Sequence, residues 1–291
     1  MGNEKVKKES SLIVIYNLAI FLLALIYFKV FVYLYFVPIA IFSTIFFLHP
    51  KIIKQSPSIQ LLVQMAMLFI LVTNDYYLVG LIDKLSGGLP RLDHFFANFD
   101  SWLFGDQFSI LFEQLLANLG NLLSKLLNDL LITVYVSYFL NAFIVGTICY
   151  QFAGLDQAKT FFFSLMLFYM INFLLYLLVP VTGPQFFLSE SYQNQPLFSA
   201  WGRLLYSWVR EGQTTFIDGF PSGHFGVTFL LTIWLFNLGH RTKYLFLAIS
   251  LLMAGATMAL RFHYSLDLLA AVPLAAISFY LGKRFKTLSI I

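Results

Sequence analysis

Asp218-Gly-Phe-Pro-Ser-Gly-His-Phe-Gly226 and Arg261-Phe-His-Tyr-Ser-Leu-Asp267 are two short polar stretches, each at the mouth of a long apolar run. Between them lies one hydrophobic hairpin, Val227 to Leu260, turned by Gly239-His-Arg-Thr-Lys243. A chain that crosses a bilayer and comes back returns to the side it left, so His224 and His263 are expected at one membrane face. His263 and Asp267 are four residues apart, a spacing that puts them on one face of a helix. A carboxylate there accepts the imidazole Nδ1–H, fixes the tautomer and leaves Nε2 as a nucleophile. Arg261, in the turn just before, offers a planar fork suited to phosphate. In the first stretch Pro221 suits the opening of a helix, and Gly219 and Gly223 let the backbone approach a ligand. The free N–H groups and positive end of that helix make an anion site, with Ser222 as an added donor. His224, on the same turn, can hand a proton to a leaving oxygen. The sum is a phosphate site with a nucleophilic and an acidic histidine. A metal site built from His224, His263 and Asp267 would use the same atoms, but Pro-Ser-Gly ahead of His224 suits phosphate better.

These residues carry a resemblance. Pro221-Ser-Gly-His224 and His263-x-x-x-Asp267 resemble the second and third motifs of the type-2 phosphatidic acid phosphatase superfamily. His263-Tyr-Ser-Leu-Asp267, Asp100-Ser-Trp-Leu-Phe-Gly105 and Tyr176-Leu-Leu-Val-Pro-Val-Thr-Gly-Pro184 are similar to segments of the branch containing inositol phosphorylceramide synthase and sphingomyelin synthase. The resemblance implies an all-α integral membrane fold, with a six-helix phosphatidic acid phosphatase-like core over residues 59–291. Residues 1–58 would add two N-terminal anchor spans. It implies that His263 attacks phosphorus and forms a phosphohistidine, that His224 protonates the departing oxygen, and that Asp267 orients His263. Arg261 with the backbone at Ser222 and Gly223 would hold the nonbridging oxygens, so no metal or cofactor is required.

One departure bears on the substrate. The superfamily's phosphatases begin with Lys-x6-Arg-Pro, where this chain reads Pro180-Val-Thr-Gly-Pro184-Gln185, without a cation. A neutral amide holds a phosphate dianion less well than a guanidinium does. Either Arg203 or Arg210 folds in from the loop, or the substrate is a phosphodiester of lower charge. The first option suits a lipid phosphatase, the second a transferase that moves a phospho-headgroup onto a lipid alcohol. A non-enzymatic lipid-binding or lipid-translocating protein is the reading of a different class; intact His224, His263 and Asp267 weigh against it.

Composition sets the same frame. The chain of 291 residues is 59% hydrophobic and 11% charged, with a mean hydropathy of +0.80; soluble domains carry roughly 25% charged residues. Its apolar runs are continuous and helix-length, unlike the alternating segments of about ten residues in outer-membrane barrels. The lone Cys149 excludes an intrachain disulfide and a cysteine-based metal cluster. The net charge of +4 is scattered over loops near membrane ends, which argues against nucleic acid as a partner. The expected partners are the bilayer and a membrane lipid, and no particular protein partner is indicated.

At about 20 residues per span, the apolar runs predict spans near 11–28, 31–48, 59–81, 130–152, 160–179, 221–238, 244–260 and 264–282. A single tilted span over 11–49 is the alternative to the first two. Residues 110–123 carry an apolar stripe that predicts one amphipathic surface helix. A second such helix is expected to end at Gly212, with Trp201 and Trp208 at headgroup level. Asp75, inside the third run, is expected either to cap locally or to pair with an arginine of the site. With eight spans the termini share a side with Lys5, Lys7, Lys8, Lys51, Lys54, Lys159, Arg241, Lys243, Lys283, Arg284 and Lys286. The positive-inside rule then places the termini in the cytoplasm and the site on a periplasmic, extracellular or lumenal face.

Overall fold

In the computed structural model, residues 5–288 are described, apart from 27, 30–33, 35 and 53. Those residues are helical almost throughout and contain no strand; a single-residue parallel bridge pairs Val181 with Asp218. Twelve helices follow in order: α1 (Lys5–Ile26), α2 (Phe36–Ile52), α3 (Pro57–Leu85), α4 (Asp93–Phe104), α5 (Phe108–Leu119), α6 (Asn121–Ala153), α7 (Leu155–Leu178), the one-turn α8 (Pro184–Phe187), α9 (Ala200–Gly212), α10 (Gly223–Leu238), α11 (Lys243–Ala259) and α12 (Ser265–Leu288). This is the all-α membrane architecture expected from the sequence. Helices α3, α6, α7 and α12 are long and apolar enough to cross a bilayer. The hairpin helices α10 and α11 are apolar but have only 16 and 17 residues, a little short of the ~20 that a full span needs.

The chain forms two compact units. The first comprises residues 1–89, 143–174 and 276–291. Here α1 and α2 are separate helices that pack together, with the rings of Phe21 and Phe36 5.3 Å apart. The turn expected between them lies partly outside the described residues; Lys29 itself has a left-handed φ of 56°. Asp75 is buried and accepts from the Asn74 amide at 3.0 Å, a local contact. Lys159, buried in α7, donates to Gln60 Oε1 at 2.7 Å, so its charge meets an amide dipole. Gly146 is in close contact with Phe162: a Cβ there would lie 2.3 Å from its Cζ.

The second unit comprises residues 90–142 and 175–275 and holds both polar stretches. Gly239 ends α10 in a left-handed conformation (φ 66°), with its N–H and that of His240 closing onto Leu235. A left-handed glycine closes a helix in this way, and here it begins the turn expected of Gly239-His-Arg-Thr-Lys243. Thr232 Oγ1 of α10 then meets Phe246 O at 3.0 Å and Ser250 Oγ at 2.9 Å on α11, locking the pair in register.

Two expectations are corrected in this unit. The stripe over 110–123 is not one helix. Gly120, at φ 77° and ψ 160°, ends α5, and α6 begins at Asn121. Ser124 Oγ bonds back to Leu116 O (2.7 Å) and Gly120 O (2.8 Å), closing the break. Helix α10 also starts later than expected: Ser222 is its N-cap and Pro221 lies outside it. Helix α4 lies between the spans expected near 59–81 and 130–152, in a stretch where the apolar pattern predicts no helix before residue 110.

The tight approach at Gly146 gives a direct test. Gly146→Ala is expected to lower stability by about 1–3 kcal/mol, the range for overpacking a filled core. Thermal unfolding in detergent measures it, and Phe162→Leu added to Gly146→Ala recovers part of the loss.

Candidate active site

The two polar stretches come together. The rings of His224 and His263 are 6.4 Å apart between centroids. The Ser222 N–H donates to Asp267 O at 3.1 Å, so the stretches are also joined through the main chain. Ser222 Oγ accepts from Phe225 N and caps α10, which puts Gly223 and His224 on its first turn at the positive end of the dipole. His224 is wedged among aromatic rings: Tyr135 stacks on it at 4.1 Å and 19°, and Tyr138 lies 4.3 Å away. Both tyrosines stand one turn apart on α6, a pairing that their i,i+3 spacing could have signalled.

His263 is buried, and its Nδ1 lies 2.8 Å from Gly219 O and 3.4 Å from Asp267 Oδ2. With the proton on Nδ1 the imidazole donates to Gly219, and Nε2 keeps its lone pair. The expected His263–Asp267 pair is present, but not because both sit on a helix. Helix α12 begins at Ser265. Asp267, on its first turn, accepts from Tyr264 N at 2.7 Å, as a capping-box acid does, and so turns one oxygen toward His263.

The substrate-binding candidates are placed unevenly. Gln185 N donates to Arg261 O at 2.7 Å, and Gln185 Oε1 accepts from Arg210 Nη1. Arg210, on α9, also lies 4.8 Å from the Phe186 ring. It is therefore Arg210 that comes to Gln185, whereas Arg203 points outward on α9 and is exposed. Arg261 is buried and adopts φ 72°, a region that non-glycine residues rarely occupy. Its guanidinium stacks 3.7 Å from the centroid of Tyr192, donates to Asn194 O at 2.7 Å and meets Glu113 Oε2 at 3.4 Å. Burial lowers the Arg261 pKa, opposed by Tyr192 and Glu113; burial pushes the Tyr192 hydroxyl up to about 12, opposed by Ser109 and Arg261.

Under these loops lies α4. Asp93 Oδ1 accepts from Gly183 N at 2.9 Å and from the Tyr264 hydroxyl at 3.2 Å; its Oδ2 accepts from Thr182 N at 3.0 Å. Asp100 Oδ1 accepts from Ser265 N at 2.9 Å and from Ser265 Oγ. Burial raises the Asp100 pKa and the bonds from Ser265 oppose it. Phe96 and Ala97, between these acids, pack on Val181 and Tyr264. Sequence reasoning passed over Asp93, Glu113, Tyr192 and Asn194. For Asp93 there was a signal: an acid just after the Ser86–Pro90 turn is where a helix starts. Beside this platform an apolar groove of about 470 Å³ is lined by Leu92, Phe95, Phe96, Val179, Phe220, Leu266, Leu269 and Ala270. Among the described residues no group of three or more His, Cys, Asp or Glu is arranged to hold a metal ion.

Comparison with known proteins gives the family. The family model described as PAP2 superfamily matches residues 96–281, well over half of the chain. The chain belongs to the PAP2 superfamily. Both polar stretches, the 180–185 segment and most of α4 fall inside the match. The chain is also similar to a PA-phosphatase related-family protein of Dictyostelium discoideum, at 26% identity over 139 residues. That similarity covers 45% of this chain and 25% of the relative, so the chain spans only a quarter of that relative's length. No solved structure matches it.

Two outcomes follow from the polar contacts. Glu113→Ala removes an acceptor of Asn194 N and Arg261, so amide exchange across residues 189–199 should rise about tenfold or more. That corresponds to roughly 1.5–3 kcal/mol for a hydrogen bond to a charged group. Asp100 has its folded-state pKa raised above the ordinary 3.8, so ionising it opposes folding. The stabilising term is full below the unfolded pKa and is lost as pH rises through the folded one. The thermal midpoint of the wild type relative to Asp100→Asn should therefore increase as pH falls toward the carboxylate range.

Proposed function

We propose that this PAP2 protein is a lipid phosphate phosphohydrolase or phosphotransferase that works through a phosphohistidine on His263, without a metal. The observation that carries the reading is the facing pair His224 and His263, with His263 Nδ1 engaged by Gly219 O and Asp267 so that Nε2 is the basic nitrogen. Nε2 attacks phosphorus and the P–O bond to the leaving group breaks. The electron pair goes to that oxygen, and protonated His224 delivers a proton to it. Water or an alcohol then attacks the phosphohistidine, giving its proton to His224, and the P–N bond breaks. In this reading the N–H groups of Gly223 and His224 at the start of α10 serve the oxygens on which charge grows, since that of Ser222 is given to Asp267 O. The apolar groove beside α4 and the spanning helices suit a lipid better than a soluble ester. We place the site on the side opposite the termini, and we take residues 1–58 as an anchor to a catalytic domain over 59–291.

Headgroup transfer from a phosphodiester lipid to a lipid alcohol, as in the synthase branch that the sequence resembles, is the second reading. It is favoured by an Arg261 already paired with Glu113, which offers less positive charge than a phosphate dianion calls for. Arg210 beside Gln185 brings a cation there and weighs toward the phosphatase.

The test is phosphate release from a panel of lipid phosphates by the detergent-purified protein, with EDTA present. His263→Ala should abolish release, and His224→Ala should reduce it by roughly 10²–10⁴-fold, the usual worth of a general acid. Headgroup transfer without phosphate release, lost in His263→Ala, would select the synthase reading. A folded protein with neither activity on any donor would overturn the enzymatic reading in favour of lipid binding or translocation.

A further inference from the structure

The atoms that orient His263 can be followed back to one carboxylate. His263 Nδ1 lies 2.8 Å from Gly219 O, and Gly219 N donates to Val181 O at 2.9 Å. The next two peptide N–H groups after Val181, those of Thr182 and Gly183, donate to Asp93 at 3.0 and 2.9 Å. Consecutive N–H groups of this kind form a concave nest that favours an anion. Asp93 is 1% exposed and is the first residue of α4, where the helix end also favours negative charge. The Leu92 N–H adds a second tie to the same crosspiece, donating to Pro180 O at 3.0 Å.

The crosspiece 180–185 reaches both site loops. Gly219 has no room for a side chain, since a Cβ would lie 2.7 Å from Val181 O. Gly183, at φ 93°, lies against the residue before His263: a Cβ there would be 2.4 Å from Phe262 O. Gln185 N holds Arg261 O. Asp93 also takes the hydroxyl of Tyr264, the residue after His263. One carboxylate thus bears on the acceptor of the imidazole, on the residue before it through Gly183 and on the side chain of the residue after it.

We propose that Asp93 is a positioning residue for His263, acting through Thr182–Gly183, Val181 and Gly219. The inference rests on the proposed role of His263 only for its kinetic consequence; the orientation of the ring stands apart from it. Loss of Asp93 releases the crosspiece, moves Gly219 O and lets the imidazole exchange its Nδ1–H tautomer and rotate.

Full-length protein labelled with ¹⁵N-histidine reads this directly, with His263 assigned by the signal missing in His263→Asn. Wild type should give one Nδ1–H form. Asp93→Asn, which keeps one acceptor oxygen, and Asp93→Ala should shift or broaden it. In turnover, kcat should fall by about 10²-fold for Asp93→Ala, the scale of a misplacement of about 1 Å, with KM little changed. Asp93→Asn should fall between that variant and wild type. Asp83→Asn is the control. It removes a buried carboxylate of the first compact unit, which accepts Leu89 N at 2.8 Å, so it should lower stability without moving the His263 signal. If Asp93→Ala does not fold, Asp93→Asn carries the test. Unchanged His263 signals and kcat in folded Asp93→Asn would overturn the proposal. So would an effect matched by Asp83→Asn at equal loss of thermal stability. If wild type turns over no lipid at all, the function reading fails, but the ring signals still decide whether Asp93 positions His263.

Discussion

The contact on which the site depends is the one between His263 Nδ1 and the main-chain carbonyl of Gly219. It takes one atom from each polar stretch, so neither stretch is a site alone. Ser222 N bonded to Asp267 O repeats the link in the opposite direction. For both to form, the α10–α11 hairpin must return with its ends level, and the left-handed turn at Gly239 with the Thr232–Ser250 contact sets that register. A main-chain acceptor is also hard to displace: its place follows from the path of the loop and not from a side-chain rotamer. That suits the nucleophile proposed for His263, whose lone pair has to face one direction.

What the sequence made legible was the part set by periodicity and local chemistry. The apolar runs placed the spanning helices to within a few residues, with α6 the exception, beginning nine residues before the run's expected start near 130. Glycine at 239 marked the hairpin, and the two stretches flanking it marked where His224 and His263 would meet. Illegible were the contacts whose acceptors or donors are peptide groups, because a carbonyl or N–H carries no residue identity. Gly219 O, Val181 O and the N–H groups of Thr182 and Gly183 could be any residue's. The break at Gly120 was hidden because Leu116, Leu119, Leu122 and Leu123 continue one apolar stripe across it. His263–Asp267 was legible for the wrong local reason: the four-residue spacing works through a helix cap, with His263 outside the helix.

Helix α4 links these two kinds of information. Its apolar residues Phe96 and Ala97 pack on Val181 and Tyr264, while Asp93 and Asp100 reach past them to peptide N–H groups of the loops. Apolar packing alone would hold the loops near α4 without setting their height or rotation, since it is non-directional. The two carboxylates add direction. A buried carboxylate with fewer donors would be costly, so the N–H groups of the loops and the acids of α4 satisfy each other. That mutual need explains why segments separated by more than eighty residues in sequence converge on one short helix.

The arginines follow the same logic with the sign reversed. Arg261 is buried in a strained backbone conformation, and a guanidinium taken out of water must find counter-charge and acceptors. Glu113, Asn194 O and the face of Tyr192 meet that need, and Glu113 at the same time takes the Asn194 N–H at 2.7 Å. The loop from Tyr192 to Asn194 is thereby ordered by the charge of Arg261 and not by an apolar core. Arg210 differs: its partner is the neutral Gln185, which stabilises a guanidinium through a dipole without cancelling its charge. Of the two, Arg210 therefore retains more of its positive field for an arriving anion. Arg261 would have to exchange Glu113 for a phosphate oxygen, and that exchange would loosen the loop that its present pairing holds.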